Sequence, residues 1–564
     1  MSLCQPVWFT LACPHSTLVR VSRLVVLLLS LLVWLQADSY PSWKAIGPWG
    51  GAARIIRLDS QKPATLMSLS MRGTGVFRSR DAAQTWTLLT NFPELPNARL
   101  DTGLIFHNPR PVWLVGAAPG GLWRSFDEGE TWKSVPGTEH LSFFALTAWP
   151  KDENILAAGT NDGVWMSNDG ANTWRRISPK SNADLTAIVS VAFDPNKAGI
   201  LYAGTPHLPW KTLNGGSTWT KISAGMFDDS DIFSIAVDPL LPGRVFASAC
   251  SGIYCSLNSG AAWRRVQGIP GTNRRTYVVA QDPHDQNLLF AGTSAGMWSS
   301  RNAGQEWKKL NEYVATSIAF HPQEASTFYI STERHGLLRT TDNGASFTPV
   351  NNGFSSRSLL AVDSDNENLF AVARYEGSAG GIFRLKALNT PWEILRSNKN
   401  FDRFFGDGDR LLARDSEGVW LESHNHAQTW DVAKTPQVES GGDWFQTATN
   451  PWNPQEMLRA SRSGLTKSND SGKTWRVVEN GLGQEWIGSV IFHPKQKGLC
   501  FALRQQRVFW SRDSGDTWYW LPAHEEAHLA FQRLHVSSAM PNLLFAVSAS
   551  RGVYVLDLPQ KPLE

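Results

Sequence analysis

The chain has 564 residues, 42% hydrophobic and 18% charged, a globular composition that excludes a disordered or fibrous protein. That length exceeds one ordinary core and suits a repeat architecture. A formal net charge of +3 gives no electrostatic case for nucleic acid or a membrane surface.

Residues 1–37 read as an export signal. Arg20 and Arg23 precede an uncharged run from Leu24 to Leu35, and Ala37 offers a small residue for cleavage before Asp38. Such a run is short for a bilayer span, so a secreted or periplasmic protein is expected, with an uncleaved N-terminal anchor as the alternative. Removing the signal takes away two arginines and no acid, leaving a net charge of about +1. Trp43-Lys44-Ala45-Ile46 then resembles the fourth strand of a repeat unit with no unit before it.

From there to the C-terminus one octapeptide recurs, Ser/Thr-x-Asp/Asn-x-Gly-x-x-Trp. Its clearest copies are Ser125–Trp132, Ser468–Trp475 and Ser511–Trp518; looser ones end at Trp86, Trp174, Trp219, Trp263, Trp307, Phe347 and Trp430. A fixed period of about 40–46 residues means a propeller, solenoid or array. Each unit reads as four short strands. In residues 188–222, an alternating run ends at Asp194-Pro195, ILYAGT follows as a mostly buried second strand, and a third strand leads into the octapeptide. A fourth begins at its Trp.

First strands end near Asp59, Asn108, Pro150, Asp194, Asp238, Asp282, His321, Asp363, Asp407, Asn450, His493 and Ser538. The fold class is therefore all-β, a β-propeller with about 12 four-stranded blades. One unit has lost its octapeptide but keeps Trp392, and the last unit, ending at Gly552-Val553-Tyr554-Val555, lacks a fourth strand. The N-terminal strand is expected to complete it and so hide its edge. Twelve blades in one ring would leave a wide hole. Two tandem propellers are favoured over that alternative, with residues 38–347 as the first group of blades and 348–564 as the second.

The octapeptide is similar to the Asp-box, or BNR repeat, of sialidases, sortilin-type receptors, xyloglucanases and photosystem II assembly propellers. The resemblance covers residues 43–558 and implies the fold rather than an activity. In that superfamily the boxes lie away from the ligand, so Asp81, Asp127, Asp169, Asn214, Asn258, Asn302, Asp342, Asn425, Asp470 and Asp513 are expected to be structural. Their side chains can bond backbone N–H groups while Gly permits the turn. A sortilin-like receptor is disfavoured because no transmembrane segment or cysteine-rich module follows the repeats.

Enzymatic signals are thin. The sialidase Phe-Arg-Ile-Pro motif is missing. The xyloglucanase-type catalytic Asp segment is matched by Met71–Ser79, which carries no Asp. Glu376, Asp415 and Glu417, on successive equivalent loops, are the candidates for the carboxylate pair that glycoside hydrolysis requires. Solvated loop charge is the simpler reading of all three. His524-Glu525-Glu526-Ala527-His528 spells a zinc-protease motif, but it falls between strands and not on a helix. Asp228-Asp229-Ser230-Asp231 lacks the Gly and terminal Glu of a calcium loop. No metal or cofactor is expected. Cys250 and Cys255 either form a hairpin disulfide or are two small thiols.

The strongest functional signal is positional. At the loop between second and third strands stand Arg72, Arg334, Arg374, Arg414, Arg462, Arg504 and Arg551. They face away from the Asp-boxes and would grip carboxylates, sulfates or phosphates bidentately. Salt bridges to neighbouring acids are the competing reading. Trp210 and Tyr375 on the same loops could stack on a sugar. The expected function is an exported, non-enzymatic propeller that binds an acidic protein segment or a polysaccharide, anionic or neutral. The alternative is a divergent glycoside hydrolase of the tandem-propeller type acting on a β-glucan.

Overall fold

The computed structural model describes residues 42–228, 230–270, 275–374, 381–395, 401–433, 446–523 and 529–558. These contain strands and turns without an α-helix, arranged as twelve four-stranded antiparallel sheets and one two-stranded parallel pair. Blade two shows the plan. Its strands are Arg99–Asn108, Arg110–Ala118, Gly121–Ser125 and Lys133–Ser134, in spatial order matching chain order. Every residue is buried in the second strands Leu66–Ser70, Val245–Ala249, Leu289–Thr293, Phe328–Thr332 and Leu369–Ala373. These strands lie between neighbouring blades, so both of their faces are covered, which explains apolar runs such as LFAVA. The twelfth blade is completed from the other end of the chain: Lys44–Gly47 pairs antiparallel with Gly552–Asp557, with Ala45 opposite Tyr554.

The blades form two tandem propellers. The innermost strand of blade one, Ala53–Leu58, packs on Arg99–Asn108 of blade two and on Ala315–Phe320 of blade seven. Ile56, Leu66, Phe77 and Trp86 share a core with Tyr329, Leu337 and Phe354 across that seam. Trp86 Nε1 donates to Val350 O at 2.8 Å. Arg57 crosses the same seam inside the channel, donating to Gly103 O at 3.0 Å and to Ser317 Oγ at 2.9 Å; burial pushes its pKa down to about 10. The second seam joins blade eight to blade twelve. Leu359–Ser364 packs on Phe531–His535, and Leu369, Ala371 and Phe383 share a core with Phe545, Val547 and Val553. Trp392 Nε1 donates to Ile46 O at 2.6 Å. Two connections link the propellers side by side, Gly50–Gly51 pairing in parallel with Ser355–Ser356.

Each Asp-box is a locally bonded turn. In Ser125–Trp132, Ser125 Oγ donates to Asp127 Oδ1 at 2.8 Å and accepts from Gly129 N at 2.8 Å. Thr131 supplies its N–H to Asp127 Oδ1 at 2.9 Å and its hydroxyl to Oδ2 at 2.6 Å. The residue before the glycine and the glycine itself both take positive φ, 57° at Glu128 and 89° at Gly129, which is where the Gly is needed. Asn258 keeps the Oδ1 role, accepting from Ser256 Oγ and Ala262 N, both at 2.8 Å.

Cys250 and Cys255 are free thiols. The hairpin pairs Ala249 with Gly252 and Phe246 with Cys255, so the two cysteines do not face each other. The disulfide alternative is excluded by that register.

Candidate functional site

The loops between second and third strands open on the face opposite the Asp-boxes. Closure into two propellers divides the seven arginines. Arg72 and Arg334 flank the first seam, while Arg374, Arg414, Arg462, Arg504 and Arg551 belong to blades eight to twelve. Arg334, Arg374 and Arg462 are exposed. Arg414 is engaged bidentately by Asp402, at 2.9 and 2.6 Å, and its guanidinium lies over Trp420. Arg504 donates to Leu482 O at 2.6 Å and pairs with Glu485 at 3.4 Å. The backbone N–H of Arg72 reaches Ser356 Oγ at 3.4 Å beside the linker. The seven positions thus differ in exposure, Arg334, Arg374 and Arg462 being exposed and the other four half-buried.

Asp415 is a turn residue. Its Oδ1 accepts from Glu417 N at 3.0 Å and Val419 N at 2.9 Å, and the side chain is buried. A hydroxyl does the same work at Thr160, Thr205, Thr293 and Ser461, each accepting an N–H two residues on. The carboxylate stands where these blades carry a Ser or Thr, and it closes the turn as they do. Glu417 is exposed on the same loop. Trp210 lies in Pro209–Thr212 and packs into the core shared with Leu201 and Ile188, where it is 8% exposed. Its indole is thus largely covered by the blade core. Tyr375 and Glu376, the His524–His528 motif and Asp229 lie outside the described residues, as do residues 1–37. Among the described residues no cluster of metal-ligating side chains is found, and no helix is long and apolar enough to cross a membrane.

Two features escaped the sequence. In the second propeller, His535 Nε2 meets Ser364 Oγ at 2.9 Å, and its Nδ1 lies 3.7 Å from Asp363. Burial pushes the Asp363 carboxyl up and the His535 imidazole down. This pairing joins blades eight and twelve inside the closing seam. The other feature is a cavity of about 630 Å³ at the junction of the propellers, with a smaller one of about 330 Å³ across the linkers. Blade seven contributes Arg334 and His335 to the larger one, blade eight Phe383 and Trp392, and the linkers Trp49 and Arg357. Its walls come from three separate stretches, around Trp49, Arg334 and Trp392, so no local pattern marked it.

The comparisons agree with this architecture. No protein-family model matches the chain. A 107-residue segment is 28% identical to a probable oligoxyloglucan-reducing end-specific xyloglucanase of Neosartorya fischeri, covering 18% of this chain and 13% of that protein. A 149-residue segment is 26% identical to the oligoxyloglucan-reducing end-specific xyloglucanase of Emericella nidulans, covering 21% and 18%. The matches thus span less than a fifth of either relative. Among solved structures, the GH74 xyloglucanase from Xanthomonas campestris aligns with a TM-score of 0.63 at 15% identity, over 92% of this chain and 100% of that one. An ancestral GH74 enzyme aligns at 0.64 and 14% identity, over 93% and 99%. At these identities the likeness is one of fold. Fold and boxes together define a tandem β-propeller. Its turns carry the Asp-box pattern, and its fold is the one seen in these GH74 enzymes.

Proposed function

We propose that the protein is an exported, carbohydrate-directed tandem propeller that hydrolyses a β-linked glucan. The observation that carries this reading is the pair of short matches to xyloglucanases, set on a whole-chain architecture shared with GH74 xyloglucanases. The two units of the proposed enzyme follow the groups 38–347 and 348–564, except that Lys44–Gly47 belongs to the second and the segment to Phe354 packs with the first. Glycoside hydrolysis needs an acid and a second carboxylate across the bond. Since Asp415 closes its own turn, the pair falls to Glu417 and to Glu376, which the sequence offers on the preceding equivalent loop. The test is release of reducing ends from xyloglucan and soluble β-glucan by mature 38–564. Turnover is expected to fall at least 100-fold in Glu376→Gln and Glu417→Gln and to survive in Asp415→Asn. Absence of turnover by the parent chain overturns the reading.

A second reading, non-enzymatic binding of an acidic polymer through the loop face, is favoured by the exposure of Arg334, Arg374 and Arg462 on one kind of loop. It predicts retention on an acidic polysaccharide column that weakens with salt, because screening shortens the reach of exposed charges. Retention by the Arg374→Ala/Arg462→Ala variant equal to the parent's removes it.

A further inference from the structure

The box face of the first propeller carries an apolar patch that neither functional reading uses. We propose that this patch docks the protein reversibly on a lipid surface, with Leu213, Leu240, Leu241 and Leu257 entering the boundary between headgroups and acyl chains.

Among the described residues these four are the exposed leucines, at 54% to 71%. All of them lie on turns of blades four and five. Leu240 and Leu241 follow Asp238-Pro239 at the turn between first and second strands. Blades four, six, seven and eleven keep the same Asp-Pro or His-Pro turn, and there the pair reads Asn196-Lys197, His284-Asp285, Gln323-Glu324 and Lys495-Gln496. Leu213 and Leu257 hold the second box position, where Arg80, Asn168, Arg301, Thr341 and Asn469 stand in other blades. The turns meet on one face. Gly215 N donates to Gly199 O and Ser259 N to Gly243 O, both at 2.8 Å, so each box lies against the first turn of its own blade. Lys211 Nζ and Tyr202 Oη of blade four reach Ser259 O of blade five at 2.9 and 3.4 Å. Single exposed leucines are normal on a protein surface, but four on adjacent turns form a patch.

Charge and bonding fit a bilayer. The boxes of blades four and five contain no Asp, Glu, Lys or Arg, and Asn214 and Asn258 keep the acceptor role without a charge to desolvate. The acids of their first turns, Asp194 and Asp238, are buried. Lys197 is the one exposed charged side chain of these four turns, and its sign suits phosphate headgroups. Asp152 and Asp285, exposed on the turns of blades three and six, bound the patch on either side. Backbone groups entering an apolar boundary must be satisfied within the protein. Asp238 Oδ1 accepts from Leu240 N and Leu241 N, both at 2.9 Å, and Leu241 O accepts from Arg244 N at 2.7 Å. Thr212 Oγ1 accepts from Gly216 N at 3.0 Å, and Asn214 Oδ1 from Thr218 N at 2.9 Å. Pro239, Pro242 and the Asp238–Arg244 ion pair hold the double-leucine tip in place, which lowers the ordering cost of docking. The leucines project, and none lines either junction cavity. A fluid layer receives projecting tips without a matching pocket, whereas a protein partner would need one. Four leucine side chains hold about as many carbons as one myristoyl chain, which gives reversible membrane association on the order of 10⁴ M⁻¹.

Docking through the box face leaves the opposite loops free, so the outcome is independent of the hydrolase reading. The experiment is co-sedimentation of 38–564 with vesicles of phosphatidylcholine and phosphatidylglycerol at low and high salt. Saturable association that survives high salt is expected, because salt screens charges and not apolar burial. Leu240→Ser/Leu241→Ser is expected to weaken it at least tenfold, and Leu213→Ser/Leu257→Ser to weaken it as well. Both variants should keep the parental melting temperature, since all four side chains are exposed. Trp452→Ser, at an exposed aromatic on the corresponding turn of blade ten, is expected to leave association unchanged. No association by the parent, association lost at high salt, equal loss in Trp452→Ser, or full association in Leu240→Ser/Leu241→Ser overturns the proposal. Vesicle-free dimerisation that Leu240→Ser/Leu241→Ser abolishes would give the patch to a second copy of the chain and overturn it too.

Discussion

At the residue scale, chemistry was legible where a side chain's partners are its own sequence neighbours. The Asp-box is the clear case, because hydroxyl, carboxylate, glycine and threonine all meet within eight positions. Asp415 was not legible, since a buried turn carboxylate and a reactive one look alike in sequence. Nor was the burial of Trp210, which depends on the neighbouring blade. The boxes also carry a pH signature. Bonds from Ser346 and Thr340 bring the Asp342 pKa to about 2, and bonds from Thr474 and Ser468 do the same for Asp470. A folded pKa below the unfolded one stabilises the fold above about pH 4, and that contribution is lost as pH falls through the folded value. Asp470→Asn keeps Oδ1 as an acceptor, as Asn258 does, but gives up the charge. Its melting temperature is expected to lie below the parent's at pH 7. The gap should narrow from about pH 4 downward and vanish near pH 2. A gap independent of pH would show that the charge contributes nothing.

At the element scale, strand number and order follow from the repeat, and the orphan strand at the start matched the blade that lacked one. That match was legible because an unpaired edge is a liability natural sheets avoid. Its energetic content lies in Trp43. This side chain is 6% exposed, packs 4.8 Å from the Phe531 ring and joins the core between blades eleven and twelve. Emptying a buried tryptophan site costs about 3–5 kcal/mol. Trp43→Ala is therefore expected to lower the stability of the second propeller by that order in urea unfolding. A chain beginning at Pro48 would also expose the hydrogen-bonding edge of Gly552–Asp557 and is expected to associate through it. A monomeric chain of parental stability would mean that the strand adds no closure.

At the scale of the whole molecule, the repeat states how many blades exist but not which distant blades meet. That depends on Trp86 reaching Val350 and Trp392 reaching Ile46, contacts across 264 and 346 positions. The junction cavity stayed invisible for the same reason. Each propeller closes on its own seam and has its own cores, and the connecting backbone consists of two short linkers that pair over Gly50–Gly51 and Ser355–Ser356. Few shared contacts make two cooperative units the expectation. Calorimetry of 38–564 should then resolve two transitions. Trp86→Phe removes the indole bond at the first seam, at a cost of about 1 kcal/mol, and should lower one transition only. Trp43→Ala should lower the other. The double variant should show both shifts at once with little coupling, because the two sites share no core. A single transition that moves as a whole in every variant would mean that the linkers weld the two rings into one cooperative body.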